Sequence, residues 1–488
     1  MSLFRTKPIS ALLESAAGTH GLRRVLGPMN LIALGIGAII GTGIFVLTGQ
    51  AAAANAGPGI VISMLIAGGV STLAALCYAE FASSVPVAGS AYTYAYATLG
   101  ELIAWAIGWD LILEYALGAA TVAVGWSGNV VSLLGDLGIR IPAAISAAPG
   151  TIVTLADGST ATAVFNLPAV LISLLVTWLL VRGVQESATV NAVVVVIKVA
   201  IILLIIAAGS AFFNRDHFTP LIPPNTGTFG EFGWSGVVRG AAVIFFAYIG
   251  FDAVSTAAQE ARHPQRDMPR GILGSLAVCT ILYVAVSAVM IGLVPYGDLG
   301  GPAPMAVAID HARTAAAGSS WEAVMRLLAP LVKIGIVAGL TSTMVVQMMA
   351  QPRIFMSMAQ DGLLPAWAGR IHSKYRTPHL TTMATGIIVA LASGFTSISV
   401  LGSLVSIGTL MAFVIVSIGV LVLRRTQPDL PRPFRTPWMP FVPIASAVVS
   451  FALMLSLPGA TWERLAIWMA AGFIIYFSYS RRRSRLEA

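Results

Sequence analysis

A lysine within an apolar segment is the residue of this sequence that most directly indicates chemistry. Lys198 lies in the otherwise uncharged run 193–202, near the centre of a predicted membrane span. An ionisable group at that depth is costly, cannot easily extend to the surface and usually takes part in function. We expect Lys198 to exchange a proton and so to stand in for a bound sodium ion. A structural bond to unwound carbonyls of the first span is compatible with that role.

Glycines interrupt the first predicted span. Residues 37–45 contain Gly37, Gly41 and Gly43 beside Thr42, and unwinding there would leave backbone groups that need polar partners inside the membrane. A zwitterion could supply them, because N–H groups at a half-helix N-terminus favour a carboxylate and freed carbonyls accept from an ammonium. Gly37 and Gly41 also have the spacing of a close helix-packing face, and this alternative stays open.

The sixth span has a similar interruption at residues 245–252, where aromatic side chains flank a glycine. Such a segment suits a pocket that combines backbone polar groups with an apolar cover. The carbonyls of Phe246, Ala247 and Ile249 are the candidates for binding an ammonium group, and Asp252 is expected to cap the following half-helix. Ordinary aromatic packing is the alternative.

Two acidic residues lie in the third span. Asp110 and Glu114 are spaced i, i+4 and therefore share one helical face, which should point into the protein. Glu114 is nearer the middle of the span and could contact a cationic substrate side chain, whereas Asp110 suits a structural bond. Interhelical hydrogen bonding by both is the alternative. Lys333 in the eighth span is a weaker candidate, because it could extend to the outer surface.

Composition and the pattern of apolar runs predict an all-α membrane protein with about twelve transmembrane helices. Of the 488 residues, 57% are hydrophobic and 10% are charged, and the mean hydropathy is +0.86. Uncharged runs such as 29–54 and 271–297 are long enough to cross a bilayer, which takes roughly 20 helical residues. The predicted spans are 29–54, 59–83, 99–133, 165–182, 188–212, 237–258, 270–294, 325–352, 379–397, 399–423, 437–457 and 463–480.

The interrupted first and sixth spans each begin a set of five. Paired interruptions at corresponding positions indicate a five-plus-five inverted repeat with discontinuous helices 1 and 6, followed by two additional helices. The predicted parts are a cytoplasmic N-terminal segment 1–28, a first repeat 29–212, a second repeat 237–423, two C-terminal helices 437–480 and a cytoplasmic tail 481–488.

The distribution of lysine and arginine predicts the orientation in the membrane. Most of them lie in loops that are cytoplasmic if both termini are inside, as the positive-inside rule requires. We therefore expect a multi-pass protein of the cell inner (plasma) membrane with both termini cytoplasmic. The net charge of +8 is spread between spans and does not indicate nucleic-acid binding.

Motifs for catalysis, metal binding or nucleotide binding are absent from the sequence. No lysine stands in a phosphate-binding loop, there is no G-x-S-x-G motif, and the histidines lack metal-ligand spacing. We expect no enzyme activity, no metal and no cofactor, and a gradient as the energy source. The expected partners are a substrate, protons and the lipid bilayer.

Six motifs in a fixed order resemble those of a known family. Nearly end to end, the chain is similar to the bacterial cationic amino acid transporters of the amino acid–polyamine–organocation (APC) superfamily. The motifs are residues 37–46 (GAIIGTGIFV), 76–82 (LCYAEFA), 85–94 (VPVAGSAYTY), 108–115 (GWDLILEY), 245–258 (FFAYIGFDAVSTAA) and 264–269 (PQRDMP).

The resemblance implies the same twelve-helix inverted-repeat fold, and proton-coupled import of small neutral or cationic L-amino acids by alternating access. It also implies which residues bind the substrate and the proton. These are Gly41, Thr42 and Gly43 for the substrate carboxylate, the carbonyls of Ile39, Phe246, Ala247 and Ile249 for its amino group, Glu114 for the side-chain pocket, and Lys198 for the proton.

Several alternatives stay open at this point. An amino acid exchanger without net proton coupling is the first, and an amino acid sensor is less favoured because only short cytoplasmic loops could signal. The Met-rich continuation of the eighth span departs from the family pattern, so the sequence does not choose between alanine and arginine or lysine as substrates. A small membrane-protein subunit and the oligomeric state are also undetermined.

Overall fold

The computed structural model describes residues 3–10, 12, 26–87, 90–154, 159–183 and 188–486, and these are predominantly helical. The predicted N-terminal segment 1–28 and tail 481–488 lie partly outside the described residues. The α-helices are α1 (Pro28–Ile39), α2 (Thr48–Ala51), α3 (Ile60–Ser84), α4 (Ser90–Thr98), α5 (Glu101–Asp136), α6 (Leu167–Val181), α7 (Ala188–Ser210), α8 (Gly233–Ile244), α9 (Ala253–Thr256), α10 (Pro264–Leu293), α11 (Pro304–Ala315), α12 (Glu322–Gln360), α13 (His379–Phe395), α14 (Ile398–Thr426), α15 (Phe441–Ser456), α16 (Gly459–Ile475) and α17 (Arg481–Arg483).

Six helical segments of the described chain are long and apolar enough to cross a membrane. A seventh is formed if α15 and the segment Gly459–Arg483, which meet at an angle of 112°, count as one span. Four shorter apolar helices add to these, so the chain is a multi-pass helical membrane protein, while the count of twelve spans stays a prediction. The six segments are Gly43–Ser84, Glu101–Asp136, Val190–Ser210, Pro264–Leu293, Glu322–Gln360 and Ile398–Thr426.

One of these segments corresponds to two predicted spans. Gly43–Ser84 contains Gly57, whose φ of 58° lies in the left-handed region that glycine adopts most readily. Pro58 follows it and begins a new helical turn. This turn lies between the predicted spans 29–54 and 59–83.

Long helices pack around the interior of the protein. Helix α12 packs along α5, and α10 packs along both α1 and α3. Helix α7, which carries Lys198, lies against α1, α10 and α12. Helix α14 packs against α5 and α15. A residue at the middle of α7 is therefore surrounded by helices that are distant in sequence.

A small β-hairpin is an exception to the predicted all-α fold. Strands β1 (Ile152–Thr154) and β2 (Thr160–Thr162) pair antiparallel in the loop between α5 and α6. Asn166 then caps α6 by accepting a hydrogen bond from the Ala169 N–H at 3.2 Å. The hydroxyl of Ser127 on α5 donates to the same side chain at 2.6 Å, which fixes the loop against the bundle.

The two terminal segments meet at one end of the bundle. The Nζ of Lys7 donates to Asp361 at 2.7 Å, and the backbone N–H of Arg485 donates to the carbonyl of Asp361 at 3.0 Å. Both segments also contact Glu101, at the start of α5. Both termini are therefore on the same side of the bundle, and their cytoplasmic location stays a prediction.

Candidate functional site

Two interruptions of helical structure lie in the interior, at the glycine-containing segments. Helix α1 ends at Ile39, Ile40 is extended with ψ of 103°, and helical structure resumes at Gly43. The local sequence favours this break, because two β-branched isoleucines are followed by a Gly-Thr-Gly sequence of low helix propensity. Helix α8 continues into the 3₁₀ turn Phe245–Tyr248 and is then interrupted before α9 begins at Ala253.

The two interruptions contact each other through glycines. A β-carbon added to Gly43 would overlap the α-carbon of Ala247. A β-carbon added to Gly250, whose φ is 116°, would lie 2.8 Å from the carbonyl carbon of Ala38. Only glycine permits these backbone approaches, and the φ of Gly250 is one that other residues rarely adopt. The segments predicted to bind a substrate are therefore adjacent in space.

Lys198 binds the first interruption directly. Its Nζ donates to the carbonyl of Gly37 at 2.8 Å, to the carbonyl of Ile40 at 3.0 Å and to the Thr343 hydroxyl at 2.8 Å. Its side chain is buried, and a β-carbon on Gly339 would lie 3.2 Å from its Cγ. Lys198 thus donates to the carbonyls that the end of α1 exposes. These hydrogen bonds are the structural bond to the first span that the sequence suggested, and they are compatible with proton exchange.

Two residues of this cluster were not predicted from the sequence. The Thr343 hydroxyl of α12 can donate its one proton to the Ile40 carbonyl at 3.0 Å or to the Gly339 carbonyl of its own helix at 3.1 Å. The Tyr283 hydroxyl of α10 donates to the Ile39 carbonyl at 2.7 Å. A polar side chain in an apolar span was the available signal for both. Since a carbonyl oxygen can accept two hydrogen bonds, the predicted contact of Ile39 with a substrate stays a prediction.

Thr42 lies between these carbonyls and the next helical segment. Its side chain is fully buried, and its Oγ1 has no hydrogen-bond partner among the described residues. The first N–H groups of a helical segment, here the one beginning at Gly43, have no acceptor within the helix and favour an anion. A buried hydroxyl and free N–H groups together suit a carboxylate, and the roles of Gly41, Thr42 and Gly43 stay predictions.

The candidate carbonyls of the second interruption belong to buried residues, and their predicted role stays a prediction. Phe246, Ala247 and Ile249 are buried. The Phe246 N–H donates to the Ser406 hydroxyl at 3.2 Å, while the Phe246 carbonyl accepts from the Ile249 N–H at 3.2 Å. The carbonyl of Phe246 therefore has one internal donor, and its predicted contact with an ammonium would use the remaining lone pair.

Three buried carboxyl groups lie close together beside the interruptions. Glu114 and Asp110 lie on one face of α5, and Asp252 is near Glu114. The carboxylate oxygens of Asp110 have no hydrogen-bond partner among the described residues. Glu114 lies beside the Thr409 hydroxyl of α14, so the interhelical alternative stays open for it. Asp252 precedes α9 as expected of a cap, but it accepts from Gly250 N–H at 3.3 Å and from Ser90 at 3.4 Å.

Comparison with known proteins identifies the family. The model of the family described as amino acid permease matches residues 26–478. The chain belongs to this permease family. Its predicted membership of the APC superfamily is thereby confirmed, and the family consists of permeases, not enzymes.

Similar permeases span nearly the whole chain. It is 45% identical over 486 residues to the methylthioribose transporter of Bacillus subtilis (strain 168), covering 100% of this chain and 99% of that protein. It is 45% identical over 489 residues to the branched-chain amino acid permease BcaP of the same organism, with the same coverage. It is 39% identical over 430 residues to the vacuolar cationic amino acid transporter 4 of Arabidopsis thaliana, covering 88% of this chain and 68% of that protein.

A vestibule of about 930 Å³ leads towards the site of this permease from the end opposite to the termini. It reaches Leu47, one turn beyond Gly43, and Val243, just before the second interruption. Two arginines, Arg239 and Arg464, lie among its lining residues. The part of the lining that the structure describes contains no aspartate or glutamate.

Lys333, which the sequence left unexplained and which could have extended to the surface, is buried. Its side chain is 0% exposed, and its Nζ contacts Asp136 at 2.6 Å and Asp310 at 2.7 Å. Arg313 approaches the same carboxylates at 3.4 and 3.5 Å. Carboxylates from α5 and α11 thus meet Lys333 inside the protein, so the amine has no need to reach water. The permease therefore contains a second buried lysine with a structural setting of its own.

Proposed function

We propose that this permease imports amino acids together with protons, and that Lys198 carries the proton. The observation that supports this most strongly is the set of three hydrogen bonds from Lys198 to Gly37, Ile40 and Thr343. They connect an ionisable group directly to the backbone that shapes the proposed substrate site. A change in the charge of Lys198 would therefore change that backbone.

Protonated Lys198 would stabilise the substrate-binding shape of the first interruption. An ammonium has three hydrogens for three acceptors, whereas a neutral amine has two hydrogens and weaker bonds. When Lys198 loses its proton, the Thr343 hydroxyl can still donate to Ile40, but the Gly37 carbonyl is held less firmly. Release of the proton on the inside would thus loosen the site and release the substrate.

The substrate itself would bind as a zwitterion between the two interruptions. Its carboxylate would accept from the N–H groups of residues 41–43 and from the Thr42 hydroxyl, whose Oγ1 has no hydrogen-bond partner in the described part of the chain. Its amino group would donate to the carbonyls of Ile39, Phe246, Ala247 and Ile249. Alternating access then requires the helical segments on either side of the interruptions to move relative to α5 and α12.

Small or branched neutral amino acids are the proposed substrates. A vestibule with two arginines and no acidic lining residue would attract the carboxylate of a zwitterion and repel a cationic side chain. The branched-chain permease among the relatives agrees with this class. Arginine and lysine are a second candidate class, because the carboxyl group of Glu114 could contact a cationic side chain. The methylthioribose transporter among the relatives shows that a similar protein can take a substrate of another chemical class.

The proposed cellular location is the plasma membrane, with both termini in the cytoplasm. The excess of arginine and lysine on the side of the termini supports this orientation. The vestibule would then open to the outside. Import of an external substrate would begin there.

Uptake into liposomes tests the proposal. Purified protein would be reconstituted without sodium, and labelled leucine, alanine and arginine would be supplied with and without an inside-alkaline pH gradient. We expect leucine and alanine to accumulate above equilibrium and a protonophore to abolish that accumulation. Uptake that requires preloaded amino acid and ignores the pH gradient would instead identify an exchanger.

A further inference from the structure

A groove opens at the end of the bundle where α1 and α10 begin. Its volume is about 850 Å³, and its apolar wall includes Met29 and Ile32 of α1, Leu273 of α10 and Phe434 of the loop before α15. Met29 is 72% exposed. Such a volume is in the range of sites that hold a small ligand. The groove thus presents a sizeable apolar surface at the boundary of the membrane-spanning region.

Two arginines border this apolar surface. Arg266 and Arg270 are spaced i, i+4 in the first turns of α10 and both line the groove. Both are exposed, and neither forms an ion pair within the described part of the chain. Asp267 between them is buried and does not line the groove. The groove therefore combines an apolar wall with a positive edge that no carboxylate of the described residues pairs.

The uncharged run 271–297 begins directly after Arg270. The two guanidinium groups therefore lie at the level of the lipid headgroups, on the side that the arginine distribution predicts to be cytoplasmic. Basic pockets between helices at this level match the negative headgroups of the cytoplasmic leaflet. A phosphodiester accepts hydrogen bonds from guanidinium groups, while acyl chains fit an apolar wall.

We propose that this groove binds one phospholipid with an anionic headgroup. Its phosphate lies against Arg266 and Arg270, and its acyl chains lie along Met29, Ile32 and Leu273. Because α1 forms one wall and ends at the Lys198 cluster, a lipid held there stabilises one position of α1. The lipid thereby sets how readily the first interruption opens to the cytoplasm. This effect on opening rests on the proposed transport function, whereas the binding of the lipid does not.

Lipid binding to the purified, delipidated protein tests the proposal without a transport assay. Native mass spectrometry with phosphatidylglycerol should show one tightly bound molecule, and phosphatidylcholine should bind far less. The double variant Arg266→Gln/Arg270→Gln should bind phosphatidylglycerol about 30-fold more weakly, at roughly 1 kcal/mol per arginine. Arg481→Gln/Arg482→Gln removes two exposed arginines near the C-terminus and should bind it as the wild type does.

A photoreactive residue in place of Met29 identifies the occupant. It should crosslink to phospholipid in membranes. Crosslinking to the chain's own N-terminal segment or to another protein would overturn the proposal. So would unchanged phosphatidylglycerol binding by the Arg266→Gln/Arg270→Gln variant, or equal binding of phosphatidylcholine. In liposomes, phosphatidylglycerol should speed uptake by the wild type and leave the double variant unaffected.

Discussion

Two buried lysines in this permease have opposite surroundings. Lys198 donates to two backbone carbonyls and a hydroxyl at the end of α1. Lys333 contacts the carboxylates of Asp136 and Asp310, with Arg313 beside them. Lys198 thus stabilises an interruption in a helix, whereas Lys333 joins three helices through opposite charges.

The difference supports the proposal that Lys198 is the lysine that exchanges the proton. A lysine that contacts two carboxylates is held by opposite charges, and breaking such a buried pair is destabilising. A lysine bonded to neutral oxygens retains partners in either state, and the Thr343 hydroxyl can satisfy Ile40 when the amine is neutral. These surroundings agree with the proposed proton exchange at Lys198 and with a structural role for Lys333.

Removing the charge of Lys198 should have the largest effect. Lys198→Met deletes hydrogen bonds from a charged donor to two carbonyls and a hydroxyl, each worth about 1.5–3 kcal/mol. We expect uptake to fall at least about 100-fold, since each 1.4 kcal/mol is tenfold, and the residual uptake to be independent of pH. The measurement is initial uptake between pH 5 and 8. Proton-driven accumulation by this variant would remove Lys198 from the mechanism.

Removing Lys333 should affect stability more than coupling. Lys333→Met leaves Asp136 and Asp310 facing each other, which should cost about 3 kcal/mol, the low end for a broken buried pair because both carboxylates are partly exposed. The melting temperature in detergent should fall, while the uptake that remains keeps its pH dependence. Lys374→Met, at an exposed lysine, is the control. Loss of pH dependence in Lys333→Met would erase the distinction between the two lysines.

Thr343→Val tests the role of the hydroxyl that contacts both Lys198 and the Ile40 carbonyl. It removes one acceptor of Lys198 and one donor to the Ile40 carbonyl, which together cost about 2.5 kcal/mol. We expect about a 60-fold loss of uptake and a changed pH profile. Thr121→Val is the matched control, because that hydroxyl donates to the Leu117 carbonyl of its own helix. Equal effects of the two variants would argue against a specific role for Thr343.

Tyr283→Phe should give the smallest change. The variant loses the hydroxyl that donates to Ile39 at 2.7 Å and keeps the ring, at a cost of about 1 kcal/mol. Substrate affinity should weaken about fivefold with the pH dependence unchanged, because Lys198 is not altered. The substrate dissociation constant, measured by calorimetry at two pH values, checks this. A shift in pH dependence would place Tyr283 in the proton-exchange cluster.

Local features of the sequence predicted where the two helices are interrupted and which residues lie at the interruptions. Glycines that permit a break and a lysine in an apolar run are visible without knowledge of the fold, and the breaks at Ile40 and Gly250 lie within the predicted segments. The partners of Lys198 and of the Ile39 carbonyl were not predictable in this way. Thr343 and Tyr283 are 145 and 244 residues distant from the groups they contact.

The partners of Lys333 also could not be predicted from the sequence. From the sequence, a lysine towards one end of a span could reach the surface, and its role was left unexplained. Its acidic partners lie 197 and 23 residues away, and packing of α5 and α11 on α12 brings them together. The sequence of one span cannot indicate such partners. Whether a lysine extends to the surface or stays buried depends on whether neighbouring helices provide carboxylates for its amine.

The most direct test of the central claim is proton movement that accompanies substrate. Liposomes containing a pH-sensitive dye would receive external leucine, with wild-type protein or Lys198→Arg, whose guanidinium stays charged throughout. The account predicts internal acidification with the wild type, and substrate exchange without acidification with Lys198→Arg. Acidification of equal rate with Lys198→Arg would contradict the assignment of proton exchange to Lys198.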